Sequence, residues 1–363
     1  MRLFCTTACL MVLVAAPAAA DVTPGAKLAE ARGDHTATLL PDGRVLVVGG
    51  CVYLEPRLTA QGDYRFPRKY LATTELWDPK TAAWTKGPKL KAGRCHHGAL
   101  LLADGRVMVA GGEGDRDATS ATTELWDPAG KSGWTKGPKL TQGQNVELMG
   151  RLADGRIALL GTRELEVLDL AKGAWSAQSR PSPETPCAVV SGSSVLFFGG
   201  TNTYQGKRSP FDVCMEWTGK SWSGKLPNFP GGRTACRAVA LGDGSVLVVG
   251  GTSMDYGGDW EPLPDSLRLS GGKWLPAGTL PRQEHALALR PDGTVLAIGG
   301  RIGAESAGPA LWSNGVWKDA GAATEQRLAP AVVALPDGRV LVIGGRDGAS
   351  KEKALASTLI WAP

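Results

Sequence analysis

Apolar residues occur along this chain as short paired runs, with a polar turn between the two runs of each pair. The phrase RGDHTATLLPDGRVLVVGG at 32–50 has apolar runs on both sides of Asp42-Gly43. It recurs from positions 94, 233, 282 and 327, and weaker copies begin at 144 and 182. An Asp-Gly dipeptide between apolar runs is typical of a tight hairpin turn with positive φ. Each copy therefore predicts a β-hairpin, and its almost continuously apolar strands predict burial on both faces.

Two further segments follow each hairpin. A third strand is predicted at TTELWDP, 73–79 and 122–128, and at its equivalents, and a fourth around the tryptophans at 84, 134, 175, 222, 274 and 317. Four antiparallel strands repeated seven times around an axis predict an all-β fold, a seven-bladed β-propeller. The seventh unit lacks a fourth strand, and we expect residues 21–28 to supply it by pairing with 359–362. That pairing would close the ring and leave no open sheet edge.

The repeat resembles a known family. The di-glycine, the arginine before each hairpin, the spaced tryptophans and a period of about 50 residues resemble the kelch repeat over nearly all of 24–363. The resemblance implies a propeller like the central domain of galactose oxidase. Kelch propellers include adaptor domains, a copper radical oxidase and a secreted sialic acid mutarotase, so the resemblance predicts fold rather than function.

A copper radical oxidase is not expected from the sequence. The family needs tyrosine and histidine ligands and a tyrosine crosslinked to cysteine. None of the five tyrosines neighbours a histidine along the chain; they stand at 53, 64, 70, 204 and 256. We also expect no bound cofactor.

Residues 1–20 have the pattern of an export signal. Arg2 precedes an apolar run, and three alanines end at Ala20 before Asp21. We expect one propeller domain over 21–363, secreted or periplasmic, with no stretch long and apolar enough to span a membrane. A lipid anchor at Cys9 is the alternative. Removing 1–20 takes away one of the 40 Lys and Arg and none of the 35 Asp and Glu, which leaves a net charge of +4. This near balance argues against a nucleic-acid partner, and we expect a monomer.

Unequal loops leave the hairpins on one side of the propeller, and the longest spans 51–71. Variable loops on a rigid frame are the usual place for binding. This loop mixes aromatic and cationic side chains, among them Tyr64, Arg65 and Arg68. Such a mixture can stack on a sugar ring or on an extended peptide.

Two sets of polar residues recur at fixed distances before the di-glycines. Seventeen residues before lie Arg32, Arg94, Arg233, Arg282 and Arg327, and fourteen before lie His35, His97, Glu147 and His285. We expect the second set to form a polar ring at the mouth of the central channel, with the arginines above it. Guanidinium groups there would suit a carboxylate or a sulfate. The alternative, which the recurrence in five units favours, is that each arginine ties its own turn to neighbouring carbonyls. A metal at the histidines is not favoured.

Five cysteines follow residue 20. Cys51 and Cys95 fall on the long-loop side of adjacent blades, so we expect a disulfide between them. Cys187 and Cys214 fall on the first and third strands of one blade, about 9.6 Å apart at ~4.8 Å per strand, which is too far for a bridge. At most one bridge is expected. Cys236 beside Arg237 is either a reactive thiolate or a buried inert thiol.

The chain contains no nucleophile elbow, zinc protease motif, phosphate loop or dinucleotide fingerprint. The leading hypothesis is therefore a non-catalytic exported module that binds a glycan or an acidic peptide or protein on the long-loop side. The alternative is a sugar-modifying enzyme resembling the sialic acid mutarotase. In that enzyme Glu147 or a histidine would move protons, and the arginines would hold the substrate carboxylate.

Overall fold

A computed structural model describes residues 21–55, 57–58, 64–65, 67–115, 118–130, 132–180, 184, 186–204, 207–224, 226–254, 260–302, 305–322, 325–349 and 353–363. The expected export signal, 1–20, lies outside the described residues. Within these ranges the chain forms seven four-stranded antiparallel sheets and no α-helix. The structure therefore has the seven-bladed propeller fold predicted from the repeats.

The blades are numbered along the chain, and the strands of each are given from first to fourth. Blade 1 contains Thr36–Leu39, Val45–Val48, Thr74–Asp78 and Ala83–Lys86. Blade 2 contains Gly98–Leu101, Val107–Ala110, Thr123–Trp126 and Thr135–Lys136. Blade 3 contains Val146–Arg151, Ile157–Gly161, Glu164–Asp169 and Ala174–Ser179. Blade 4 contains Cys187–Ser191, Ser194–Phe198, Cys214–Trp217 and Trp222–Ser223.

The last three blades follow the same order. Blade 5 contains Arg237–Ala240, Val246–Val249, Asp265–Ser270 and Lys273–Thr279. Blade 6 contains Ala286–Leu289, Val295–Ile298, Ala310–Ser313 and Val316–Asp319. Blade 7 contains Ala331–Ala334, Val340–Ile343, Thr358–Ala362 and Asp21–Pro24. The first strands of successive blades contact one another in a closed circle, so they surround the axis.

Blade 7 is completed by the two ends of the described chain. Asp21 lies opposite Ala362 and Pro24 lies opposite Leu359, in antiparallel register. This is the pairing predicted from the strand count. The indole of Trp84 in blade 1 then donates to the carbonyl of Ala26 at 3.0 Å, just as Trp134 in blade 2 donates to Pro88 at 2.9 Å.

The core lies between the blades. Between blades 1 and 2, Leu46 and Val48 pack with Val107, Val109 and Trp126 in one buried apolar cluster. A cluster of this kind joins each successive pair of blades, including 7 and 1. Both faces of the second strands are covered, which explains why these strands are apolar at successive positions. Burying each large aliphatic side chain stabilises the fold by about 1.5–3 kcal/mol.

The di-glycines connect consecutive blades. Gly49 and Gly50 have φ of 61° and 94°, and the Gly50 N–H donates to the Arg94 carbonyl in blade 2 at 2.9 Å. A Cβ on Gly49 would lie 2.6 Å from that same oxygen, so only glycine fits. The equivalent hydrogen bond to the next blade is made by Gly112, Gly200, Gly251, Gly300 and Gly345.

The hairpin turns differ in detail from the prediction. In blade 1 the Leu40 N–H donates to the Arg44 carbonyl at 2.8 Å, and the Gly43 N–H donates to the Leu40 carbonyl at 3.0 Å. Gly43 has φ of 86°, whereas Asp42 is not among the residues with positive φ. The loop is therefore a turn followed by a left-handed glycine, not a two-residue turn with two positive φ values. Asp42 accepts a hydrogen bond from the Arg44 N–H at 3.0 Å.

Short strand pairs between the second and third strands form what we call the rim. They are Cys51–Tyr53 with Arg68–Tyr70, Arg57–Leu58 with Tyr64–Arg65, Glu113–Gly114 with Ala118–Thr119, Thr201–Tyr204 with Lys207–Pro210, Thr252–Met254 with Trp260–Pro262, and Arg301–Ile302 with Glu305–Ser306. In blade 7, Arg346–Asp347 pairs with Arg327–Leu328. Over the described ranges no helix has the length and apolar character needed to cross a membrane.

Candidate functional site

The five repeated arginines are enclosed in the scaffold. Arg94 donates to the carbonyl oxygens of Gly111 at 3.0 Å and Thr122 at 3.2 Å, and to Glu124 Oε1 at 3.0 Å. Both Arg94 and Glu124 are 2 % exposed. Equivalent bonds within the same blade are made by Arg32, Arg233, Arg282 and Arg327. These groups face their own blades, so the expected anion site is corrected to the alternative in which each arginine ties its own turn.

Blade 3 replaces this arginine with two residues. Gln144 donates to Glu166 Oε1 at 3.1 Å, and Arg180 donates to the Gly161 carbonyl. Arg180 also forms an ion pair with Glu147 at 2.9 Å. Burial raises the pKa of Glu147 to about 7, although Arg180 opposes the rise. Glu147 lies at a register irregularity in the first strand of blade 3. Its carboxylate pairs with Arg180 of the same blade.

The three predicted histidines pack between blades. A Cβ on Gly49 would lie 2.9 Å from Cε1 of His97, and a Cβ on Gly344 would lie 2.7 Å from Cε1 of His35. Burial lowers the pKa of His35 to about 3 and holds that of His97 and His285 well below the usual value. The expected circle of polar residues at the channel mouth is therefore corrected. The uncharged imidazoles pack against the di-glycine of the preceding blade.

The long loop places Arg68 on the rim. The guanidinium of Arg68 forms an ion pair with Glu113 and lies 5.7 Å from the ring centroid of Tyr53. Tyr64 and Arg65 form a short strand with 57–58, and their side chains lie outside the described residues.

A different position of the repeat supplies side chains to the rim. The residue two places after each arginine has a left-handed backbone, with φ of 50° at Asp34 and His96, 55° at Ala235, 56° at Glu284 and 44° at Ala329. We call these the mouth positions. Left-handed non-glycine residues cost about 1–3 kcal/mol each and are concentrated at functional sites. The His96 N–H donates to the Asp34 carbonyl at 3.2 Å, so this position in one blade lies beside its equivalent in the next.

Three potential metal ligands meet at the mouth position of blade 2. One ligand atom each from Cys95, His96 and Glu113 lies within 4.8 Å of the other two. The sulfur of Cys95 lies 3.5 Å from Glu113 Oε1, and His96 Nε2 lies 3.8 Å from the same oxygen. Cys95 is buried, whereas the His96 side chain is 37 % exposed. Thiolate, imidazole and carboxylate are ligands of zinc, and the first two also suit copper.

Polar residues of blade 1 surround this group. Asp34 Oδ2 lies 3.5 Å from His96 Nε2 and accepts a hydrogen bond from the Tyr53 hydroxyl. The Cys51 thiol points to the same oxygen at 3.8 Å. Asp34 and Glu113 therefore both face Nε2 of His96, at 3.5 and 3.8 Å, and Tyr53 and Cys51 hold the Asp34 carboxylate in place.

The charges in the cluster follow from burial and pairing. Burial lowers the pKa of His96 despite the opposing effect of Asp34, so the imidazole is neutral at pH 7. Burial acts to raise the pKa of Asp34, but His96, Tyr53 and Arg346 together lower it. A hydrogen bond with Cys51 and burial raise the pKa of Cys95. A metal would therefore have to displace the thiol proton of Cys95.

All five described cysteines are free thiols. The disulfide expected between Cys51 and Cys95 is therefore not formed in the structure. The two residues are nevertheless neighbours, because the Gly50 N–H, directly before Cys51, bonds to the carbonyl of Arg94, directly before Cys95, at 2.9 Å. Each sulfur also contacts a carboxylate of the cluster.

Sequence reasoning missed Asp34, His96, Glu113 and Tyr53. Tyr53 is 43 residues from His96 along the chain, yet both contact Asp34. Separation in sequence therefore did not reveal their proximity. One signal was available: the arginine recurs, whereas the residue two places later changes from blade to blade.

No protein-family model and no curated protein matches this chain. Among solved structures, a fungal alcohol oxidase of the AA5 family in complex with copper has a similar fold, with a TM-score of 0.68 and 17 % sequence identity. The match covers 95 % of this chain and 76 % of that chain. At this identity the likeness shows the propeller fold.

The comparison corrects the leading functional hypothesis. A non-catalytic binding module was expected because the sequence shows no catalytic motif. The named solved structure with this fold is an enzyme, and the rim brings together Cys95, His96 and Glu113. The arginines that were expected to hold a substrate carboxylate are enclosed in their own blades.

Proposed function

We propose that this protein is an enzyme that acts on a hydroxyl group of a sugar or another alcohol, at a metal ion held by Cys95, His96 and Glu113. The observation that carries the proposal is the approach of these three donors to within 4.8 Å beside a partly exposed histidine. Catalytic metal sites commonly combine three protein ligands with one open position. A substrate oxygen would occupy that open position.

Copper is the first metal to test. Sulfur and imidazole donors suit it, and the solved oxidase with this fold is in complex with copper. The cluster does not reproduce the ligand set of a copper radical oxidase, because it contains one histidine and its Tyr53 hydroxyl bonds to Asp34. We therefore assign no radical step to Tyr53. Zinc fits the same three donors and is the second metal to test.

The chain's own residues prepare the site for this chemistry. Asp34 lies 3.5 Å from Nε2 of His96. Arg68 pairs with Oε1 of Glu113, the oxygen that faces Cys95 and His96, and Asn145 donates to Oε2. Burial and Asp34 raise the pKa of Tyr53. The Tyr53 hydroxyl therefore stays protonated and donates a hydrogen bond to the Asp34 carboxylate. A bound metal ion would polarise the substrate hydroxyl or, if copper, accept electrons from it.

The test is a substrate screen on residues 21–363 loaded with copper or with zinc. One arm measures oxygen uptake and hydrogen peroxide, because oxidation of an alcohol to an aldehyde gives two electrons and two protons to dioxygen. The other arm follows sugar anomers and epimers by NMR. Turnover in either arm is expected, with a loss of at least about 10- to 100-fold in His96→Asn. Asparagine tolerates the left-handed backbone.

Ala235→Asn is the matched control, because Ala235 occupies the mouth position of blade 5 with a similar φ of 55°. It should keep full activity. Equal rates with and without protein in both arms, or full activity in His96→Asn, would contradict the proposal.

We further propose that the chain is an exported, monomeric kelch-type propeller. The N-terminal pattern and the repeated phrase support this. Export is tested by sequencing the N-terminus of the mature protein, which should begin at Asp21. The molecular mass measured in solution should be that of one chain.

A further inference from the structure

A second pair of cysteines lies between blades 4 and 5. Cys187 begins the first strand of blade 4, and Cys236 directly precedes the first strand of blade 5. These two strands are neighbours in the circle around the axis. Both residues belong to the apolar cluster that joins the two blades, and they are 5 % and 2 % exposed. Each thiol is the first cause of the other's pKa shift, which raises the pKa of Cys187 and lowers that of Cys236.

We propose that Cys187 and Cys236 form a disulfide when the protein folds under oxidising conditions, and that this bond ties blade 4 to blade 5. The two cysteines lie at the start of neighbouring first strands and in one buried cluster, so bond formation requires a small approach of two side chains rather than a rearrangement of strands. The bond closes a loop that runs through most of blade 4, and such a closure restricts the unfolded chain.

The chemistry is thiol–disulfide exchange. The two thiols lose two protons and two electrons, and the oxidant, a disulfide such as oxidised glutathione, is reduced to two thiols. A hydrogen bond from Cys187, with the positive charges of Arg233 and Arg237, lowers the pKa of Cys236, whereas the pKa of Cys187 is raised. The buried positions of both sulfurs place this step during folding, before the two blades close over them.

The other cysteines have different surroundings. Cys214 lies in the same cluster, but its sulfur points to the Asp212 carbonyl at 3.8 Å. The Cys51 sulfur contacts the Asp34 carboxylate, and the Cys95 sulfur contacts the Glu113 carboxylate. The distance argument from sequence compared Cys187 with Cys214 inside one blade, and it missed the partner because the neighbouring blade supplies it.

The test is peptide mapping of wild-type residues 21–363 refolded with reduced and oxidised glutathione. We expect a peptide in which Cys187 is linked to Cys236, and three free thiols in the denatured, unreduced protein. Reduction of this protein should lower its Tm by several degrees. Cys214→Ser is the matched control and should keep both the linked peptide and the drop in Tm on reduction.

Five free thiols after refolding, or a linkage between another pair, would overturn the proposal. A linked peptide with no change in Tm on reduction would overturn its structural role. These outcomes do not depend on any enzymatic activity of the rim cluster.

Discussion

Arg94 and His96 stand two residues apart in the same repeated phrase, yet they belong to different parts of the molecule. Arg94 is 2 % exposed and bonds to its own blade. The His96 side chain is 37 % exposed and lies beside Cys95 and Glu113 on the rim. A left-handed backbone at His96, with φ of 50°, separates these two environments.

The comparison shows what repetition means in this fold. The arginine recurs in five blades because it ties the di-glycine of its own blade to the segment that leads into the third strand. The mouth position changes from Asp34 to His96 to Ala235 to Glu284 because that position has no such scaffold role. In a repeat protein of this kind, the repeated polar residue is structural and the variable one beside it is the candidate for function.

The largest expected effect is on stability at the arginine. Arg94→Ala should lower the free energy of unfolding by about 3–5 kcal/mol, because it leaves the Glu124 carboxylate buried without its partner. Chemical denaturation measures this change. The matched control is Arg106→Ala, whose ion pair with Asp104 is about half exposed, and the expected change there is about 1 kcal/mol or less. Similar losses in the two variants would remove the scaffold role of the arginine.

The next effect depends on pH. Burial raises the pKa of Glu147 to about 7 in the folded protein from a usual value of 4.5. Between these values the unfolded chain releases the proton and the folded protein keeps it, so stability falls as pH rises through this window and then levels off above 7. The total is at most about 3 kcal/mol. Glu147→Gln should be flatter over the same range in denaturation experiments. Parallel curves for both proteins would show that Glu147 titrates normally.

A smaller effect is expected at Asp34, beside the histidine. Asp34→Asn should weaken metal binding by about 10- to 100-fold, because it removes a negatively charged oxygen 3.5 Å from Nε2 of His96. Isothermal titration measures the affinity. Glu284→Asn is the matched control at the mouth position of blade 6 and should bind the metal as tightly as the wild type does. Unchanged affinity in Asp34→Asn would place Asp34 outside the site.

Much of the fold was predictable because it depends on repeated local patterns. Paired apolar runs predict the hairpins, and the absence of a fourth strand in the last repeat predicts its pairing with residues near Asp21. The turn type was predicted less well, since Asp42 and Gly43 suit more than one hairpin loop.

The site was not predictable in the same way. Counting residues from the di-glycine places His97 correctly on the first-strand side, but it cannot show that its neighbour His96 has a left-handed backbone and turns to the rim. The approach of Tyr53 to Asp34 and of Cys187 to Cys236 depends on loop paths and on the packing of one blade against the next. These contacts have no signature in the spacing of residues along the chain.

The central claim is that the variable mouth position, not the repeated arginine, builds the site. A titration of wild type, His96→Asn and Ala235→Asn with cobalt(II), a spectroscopic substitute for zinc, tests it most directly. The account predicts one ion per chain with a thiolate absorption band in the wild type and in Ala235→Asn, and no such band in His96→Asn. A wild-type protein without the band, or a His96→Asn variant with the same band and affinity, would contradict it.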